Sequence, residues 1–182
     1  AEHVNFDLSQ PDLAELQRMV AESIAVKERI VAEDPHEHGI RKALNFGHTI
    51  GHALEEFSLQ QAGGAVVSTA PNSQLTPKNR PLLHGYAVAF GLIGELYMSA
   101  RKAGFPTERL HQTAHFIREN YAQTEFTCND YPTLLNLMRH DKKNTSGVIN
   151  FTLLHNIGDI RINQTATDEE IREALDFIRE GY

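Results

Sequence analysis

Apolar residues first recur at helical spacing in Leu13, Leu16, Val20, Ile24 and Val31, predicting a helix over 11–33. Ser9 is placed to cap it and Pro11 suits its first turn. Asp34-Pro35 ends it, because the residue before proline is pushed out of the α region. A second helix is predicted over 41–57. From 58 to 83 no periodicity survives, and Gly63, Gly64, Pro71, Pro77 and Pro81 punctuate a polar stretch that reads as a long surface loop. Loops of that length are usually functional or disordered. A third helix over 85–102 carries Val88, Leu92, Leu96 and Tyr97 on one face, and Gly104 closes it. Shorter helices are predicted over 107–120 and 132–140. The period then changes to two: 148–153 and 160–163 flank a turn around Gly158-Asp159, the pattern of a small hairpin. Thr167 and Glu170 form a capping box that opens a last helix through Ile171, Leu175 and Ile178. The sequence has no repeat. It reads as mainly α, a multi-helix domain with one small β-hairpin.

Composition narrows the function classes. At about 150 residues per domain, the 182 residues predict one domain with room for an appendage. Hydrophobic residues at 41% and charged residues at 23% supply a real core. No apolar run approaches the roughly 20 residues a bilayer span needs, so no membrane span is expected. The single cysteine, Cys128, excludes an intramolecular disulfide framework and a cysteine-rich metal site, and suits a reducing cytoplasm. A net charge of −7 argues against general nucleic-acid binding. The chain begins at Ala1 without an initiator Met, signal peptide or transit peptide, which predicts a piece of something longer.

Ten histidines against no tryptophan direct attention to imidazole chemistry. His48 and His52, in Gly47-His48-Thr49-Ile50-Gly51-His52, are four apart and share a helix face. Gly47 and Gly51 line an adjacent stripe that admits a helix or a ligand close to the backbone. Thr49 stands where a zincin motif requires Glu. His84 opens the third helix, where the dipole favours neutral imidazole, the form that binds a divalent metal. Histidines from two helices would be two-thirds of the protein ligands of a catalytic zinc site. Taken singly, each is more often a hydrogen-bonded core or surface residue. Lys27 lies at the polar–apolar boundary of the first helix, Glu37 and Arg41 flank its exit, and Asn45 comes one turn before the histidines. Asp141-Lys142-Lys143-Asn144 adds a second basic cluster ahead of the hairpin. Such lysines are commonly solvated, but an anionic substrate wants groups of this kind to converge: Arg for bidentate contact, Lys as a point charge.

Arg41-Lys42-Ala43-Leu44-Asn45-Phe46-Gly47-His48-Thr49-Ile50-Gly51-His52-Ala53 with Glu55, then Leu83-His84-Gly85 before Ala87-Val88-Ala89, then Asp141-Lys142-Lys143, closely resembles the 3-dehydroquinate synthase family. Val26-Lys27 and Asp34-Pro35-His36-Glu37 also fit. The resemblance covers essentially the whole chain, as the C-terminal half of the architecture that these synthases share with iron-containing alcohol dehydrogenases. It implies a lyase that converts 3-deoxy-D-arabino-heptulosonate 7-phosphate to 3-dehydroquinate and phosphate in the shikimate pathway. It further implies catalytic NAD, one divalent metal (zinc or cobalt) and a cytoplasmic homodimer. His48 and His84 correspond to two of three metal ligands. Lys27 and Arg41 correspond to contacts with substrate carboxylate and hydroxyls, and Glu37 to the group that orients one of them. Asn45, His52 and one of Lys142 or Lys143 correspond to contacts around the leaving phosphate, and His52 can also join a proton relay. The third ligand, a glutamate, and the NAD-binding half are expected upstream of Ala1, which would leave this chain inactive alone. Tyr86 departs from the Glu that many members carry after His-Gly, and Glu55 is the expected substitute. The alternatives are a related metal-dependent polyol dehydrogenase, which gives a basic phosphate pocket no work, and a non-catalytic metal- or phosphate-binding helical module.

Overall fold

The computed structural model describes residues 10, 12–62, 81–121, 125–141 and 148–181. These form two compact units, one ending at Leu44 and one beginning at Asn45. The first is a helix and a turn. Helix α1 (Leu13–Glu33) starts two residues later than the sequence suggests: its cap is Asp12, not Ser9, with the carboxylate accepting from the backbone N–H of Ala14 at 2.8 Å. Ser9 and Pro11 lie outside the described residues. No residue of α1 is buried. It ends at Asp34, as the following proline requires. The Asp34 carboxylate then gathers the next turn, accepting from the N–H groups of His38 at 3.0 Å, Gly39 at 2.7 Å and Arg41 at 3.1 Å. A 3-10 segment (Ile40–Asn45) follows.

The single helix expected over 41–57 is in fact two elements. Gly47 takes a left-handed conformation (φ 80°) between the 3-10 segment and helix α2 (His48–Gln61). Asn45 therefore precedes the break rather than sharing the histidines' helix, and His48 is the first helical residue. At the other end α2 absorbs Ser58 through Gln61, four residues of the expected loop. The Ser58 hydroxyl donates back to the Glu55 carbonyl of its own helix (2.7 Å) and accepts from the N–H of Leu82 (2.8 Å), fixing the entry to the next helix. Residues 63–80, the body of the expected loop, lie outside the described residues.

Helix α3 (His84–Met98) is the centre of the second unit, with Ala87, Phe90, Ile93 and Met98 almost fully buried. It passes into a π-helical turn (Ser99–Ala103) and stops at left-handed Gly104, the predicted terminator. Helix α2 lies against it through glycine. A Cβ on Gly51 would sit 3.0 Å from the Val88 Cα, and one on Gly91 only 1.9 Å from the Gly47 carbonyl oxygen. The two backbones approach as closely as backbones can.

Helices α4 (Thr107–Asn120) and α5 (Tyr131–His140) appear where the periodicity places them, α5 entered through a short 3-10 turn (Cys128–Asp130). The hairpin is longer than predicted: β1 (Asn150–Asn156) pairs antiparallel with β2 (Asp159–Thr165). Ile157 and left-handed Gly158 make the turn, and Asp159 already belongs to β2. Helix α6 (Asp168–Glu180) carries the expected capping box and buries Ile171, Leu175 and Ile178. Together α2 through α6 and β1 enclose one core, whose fully buried members include Ile50, Leu54, Leu134, Leu135 and Leu175. Mainly α with one hairpin is the observed fold. Among the described residues no helix is long and apolar enough to cross a membrane.

Candidate metal centre

Three histidines meet where α2 starts beside α3. His48 is the first residue of α2, His52 lies one turn on, and His84 is the first residue of α3. One ring nitrogen from each lies within 4.8 Å of the other two. Ring centroids are 5.4 Å apart for His48 and His52, 5.5 Å for His48 and His84, and 5.7 Å for His52 and His84. Helical spacing accounts for the first pair. The third arrives because α2 and α3 touch backbone to backbone.

Each ring is held at Nδ1. His48 donates to the Phe46 carbonyl at 3.1 Å, since a carbonyl can only accept. His52 pairs with the Asp141 carboxylate at 2.9 Å, and His84 with the Glu55 carboxylate at 2.9 Å. A neutral imidazole that gives its Nδ1 proton to an oxygen keeps a lone pair at Nε2. That is the arrangement found around protein metal ions, where an outer oxygen fixes the tautomer and the ring's direction. The donor set and the spacing fit a divalent cation. They bring His52, assigned by the sequence to phosphate, into the same cluster as the two expected ligands. Glu55 stands beside His84, the carboxylate expected there because Tyr86 replaces the usual one. The Tyr86 ring packs instead edge-on against Tyr121, with centroids 5.1 Å apart.

Two further carboxylates belong to the site. Asp141, in the sequence part of the Asp141-Lys142-Lys143 motif with no role of its own, is 12% exposed at its side chain and pairs with His52. Glu95 is fully buried (0% exposed). Its Oε2 accepts from the N–H of Gly47 at 2.7 Å, and its Oε1 from Thr49 at 3.0 Å and Ile50 at 3.4 Å. A helix leaves its first N–H groups without internal partners, and α2 has no cap of its own because Gly47 lacks a side chain. The signal was present: Glu95 is the one ionisable residue in Phe90-Gly91-Leu92-Ile93-Gly94-Glu95-Leu96, and a charge in an apolar helix face demands polar partners.

The remaining predicted site residues divide between the units. In the first, Lys27 is exposed on α1. Glu37, in a left-handed conformation (φ 58°), lies 3.9 Å from Arg41 through its carboxylate, so its partner is Arg41. The Arg41 guanidinium also donates to the Pro35 carbonyl at 2.8 Å. In the second unit, Asn45 stands just before the Phe46-Gly47 bend. Lys142 and Lys143 lie outside the described residues.

Clustered, oriented imidazoles on a helical scaffold make a donor set that suits a divalent cation. Comparison with known proteins is more specific. The family profile described as 3-dehydroquinate synthase C-terminal matches residues 2–69 and 73–144. A 3-dehydroquinate synthase of Parabacteroides distasonis is 52% identical over 177 residues, 97% of this chain and 45% of that protein. One from Symbiobacterium thermophilum is 33% identical over 171 residues, 92% of this chain and 42% of that protein. The chain thus spans less than half the length of these relatives. A crystal structure of 2-deoxy-scyllo-inosose synthase complexed with carbaglucose-6-phosphate, NAD+ and Co2+ shares the fold at TM-score 0.64 and 22% identity, covering 93% of this chain and 42% of that one. The chain belongs to the 3-dehydroquinate synthase family and corresponds to its C-terminal domain.

Proposed function

We propose that this chain is the metal- and substrate-binding part of an enzyme that converts 3-deoxy-D-arabino-heptulosonate 7-phosphate to 3-dehydroquinate and phosphate. In this reading it works with a preceding NAD-binding half as a cytoplasmic homodimer in the shikimate pathway. The observation that carries the reading is the convergence of His48, His52 and His84 with every Nδ1 already engaged. His48 and His84 hold the divalent metal, zinc or cobalt, together with a carboxylate from the preceding half. When bound, the metal supplies Lewis acidity at the substrate hydroxyl that NAD oxidises. Membership in the synthase family weighs against the polyol dehydrogenase alternative.

The chain's own residues then have distinct tasks. Glu55 keeps the His84 Nε2 turned toward the cluster. His52, carrying its Nδ1 proton against Asp141, offers an Nε2 that can accept a proton; the imidazolium so formed can donate its Nε2–H to a phosphate oxygen or pass its Nδ1 proton toward Asp141 in a relay. Arg41, held by Glu37 and the Pro35 carbonyl, presents a fixed guanidinium for a carboxylate. Lys27 adds a point charge for carboxylate or hydroxyl oxygens. Asn45 and one of Lys142 or Lys143 serve the departing phosphate.

Two measurements test this. The protein extended to the length of its relatives is assayed for phosphate release from the heptulosonate phosphate, and the 182-residue chain is assayed beside it. Turnover is expected only in the extended protein. Co2+ binding followed by visible absorption is expected to vanish in His84→Ala. Retention of stoichiometric metal by that variant would show the ligand assignment to be wrong.

A further inference from the structure

Glu95 has no part in the proposed chemistry, yet it is a fully buried carboxylate whose bonds bracket a proposed metal ligand. It takes the N–H of Gly47 on one side of His48 and those of Thr49 and Ile50 on the other. We propose that Glu95 is a positioning residue of the cation site, acting through the N-terminus of α2. The inference rests on the metal reading above and goes one step deeper into the same site.

Two physical effects support it. The first is geometric. Three N–H groups at the start of a buried helix need acceptors, and Glu95 satisfies them from α3, the helix that also carries His84. One side chain thereby fixes the start of α2 to the helix bearing the third imidazole. The Thr49 hydroxyl, donating to the Asn150 carbonyl at 3.0 Å, secures the same turn to β1. The second effect is electrostatic. A helix N-terminus carries roughly half a positive charge, which opposes a cation held by the first residue of that helix. A carboxylate that accepts those three N–H groups offsets that positive end. Asp141 on His52 and Glu55 on His84 add two more negative charges around the cluster.

The test uses Co2+ alone, titrated into the protein extended to the length of its relatives, at a temperature where far-UV circular dichroism shows every variant folded. Glu95→Gln keeps the shape, removes the charge and turns an NH2 toward backbone donors. It is expected to weaken Co2+ binding about tenfold or more, the range for losing an outer partner of a metal ligand. Leu175→Ala, a cavity elsewhere in the core, is expected to lower the Tm and leave the Co2+ Kd unchanged. Glu95→Asp keeps the charge but reaches one methylene short, and its Kd should fall between those of the unmodified protein and Glu95→Gln. A Glu95→Gln Kd equal to that of the unmodified protein, whatever its Tm, makes Glu95 a structural cap only and overturns the proposal. If Glu95→Gln does not fold, an unchanged Kd in Glu95→Asp overturns it equally. Failure of the unmodified protein to bind Co2+ overturns the metal reading itself, and this proposal with it.

Discussion

At the scale of single residues, the cluster shows that a ligand is specified as much by its Nδ1 partner as by its position. The three partners differ in kind: a backbone carbonyl for His48, a half-buried carboxylate for His52, a more exposed one for His84. Replacing Glu55 with Gln should loosen His84 and weaken Co2+ binding by about 10- to 100-fold; equal affinity in Glu55→Gln would show that the pair is a surface ion pair and no more. A second carboxylate sets the pH response of the first unit. The N–H of Gly39, with those of His38 and Arg41, holds the Asp34 carboxyl below the ordinary aspartate range, against the opposing effect of burial. A group depressed in the folded state stabilises above its unfolded pKa and loses that contribution as pH falls through its folded value. The 34–41 turn should therefore stay ordered at pH 5 and loosen below about pH 4, seen as a shift of the Gly39 and Arg41 amide resonances. The same step in Asp34→Asn would rule Asp34 out as its cause. Among these residues, His48, His52 and His84 were legible because four-residue spacing and a helix start are sequence properties. Of their oxygen partners, Glu55 was legible only through the family resemblance, and the pairing of Asp141 with His52 was not legible at all, because it joins residues 89 apart in the chain.

At the scale of elements, helices with an ordinary amphipathic stripe could be read nearly to the residue, as α4 after Pro106 and α6 with its capping box show. The misreading at 41–57 has one cause. Apolar residues at helical spacing, Ala43, Phe46, Ile50, Leu54 and Phe57, run on across the break, while the left-handed Gly47 interrupts the helix and Glu95 restarts it from another element. A local pattern cannot report a cap supplied by α3. The same contact yields a ranking of glycine substitutions. Gly91→Ala places a methyl 1.9 Å from the Gly47 carbonyl oxygen, where both neighbours are backbone, and should cost about 1–3 kcal/mol or more. Gly51→Ala, 3.0 Å from the Val88 Cα, should cost less. Gly85→Ala meets nothing within 4 Å and, lying inside a helix, should be neutral or stabilising by up to about 1 kcal/mol. Urea unfolding of the three variants checks the order, and a Gly91→Ala as stable as Gly85→Ala would mean that α2 and α3 do not touch as described.

At the scale of the whole molecule, the sequence gives a mainly helical chain and no sign of its division at Leu44 and Asn45. The periodicity of α1 is as strong as that of helices that do enter the core, so pattern alone counts them alike. Burial separates them. Ile171, Leu175 and Ile178 of α6 are 0%, 0% and 4% exposed, whereas Leu13, Val20 and Ile24 of α1 are 76%, 50% and 52% exposed. Most helical stability in proteins comes from packing an apolar face, and propensity alone leaves an isolated helix marginal. Local opening free energies follow the same distinction, from near zero for unpacked segments to the global value for core helices. Amide hydrogen exchange of this chain should therefore show two classes. The amides of α3 and α6 should exchange only through global unfolding, with rates that fall together as stability rises. Those of α1 should exchange far faster and should not respond to a core change such as Leu175→Ala. If α1 were instead protected to the level of α3, its Leu13–Leu16–Val20–Ile24 stripe would have to be covered in solution. Repeating the exchange over a tenfold range of protein concentration would then show whether a second copy supplies the cover, since only that cover weakens on dilution.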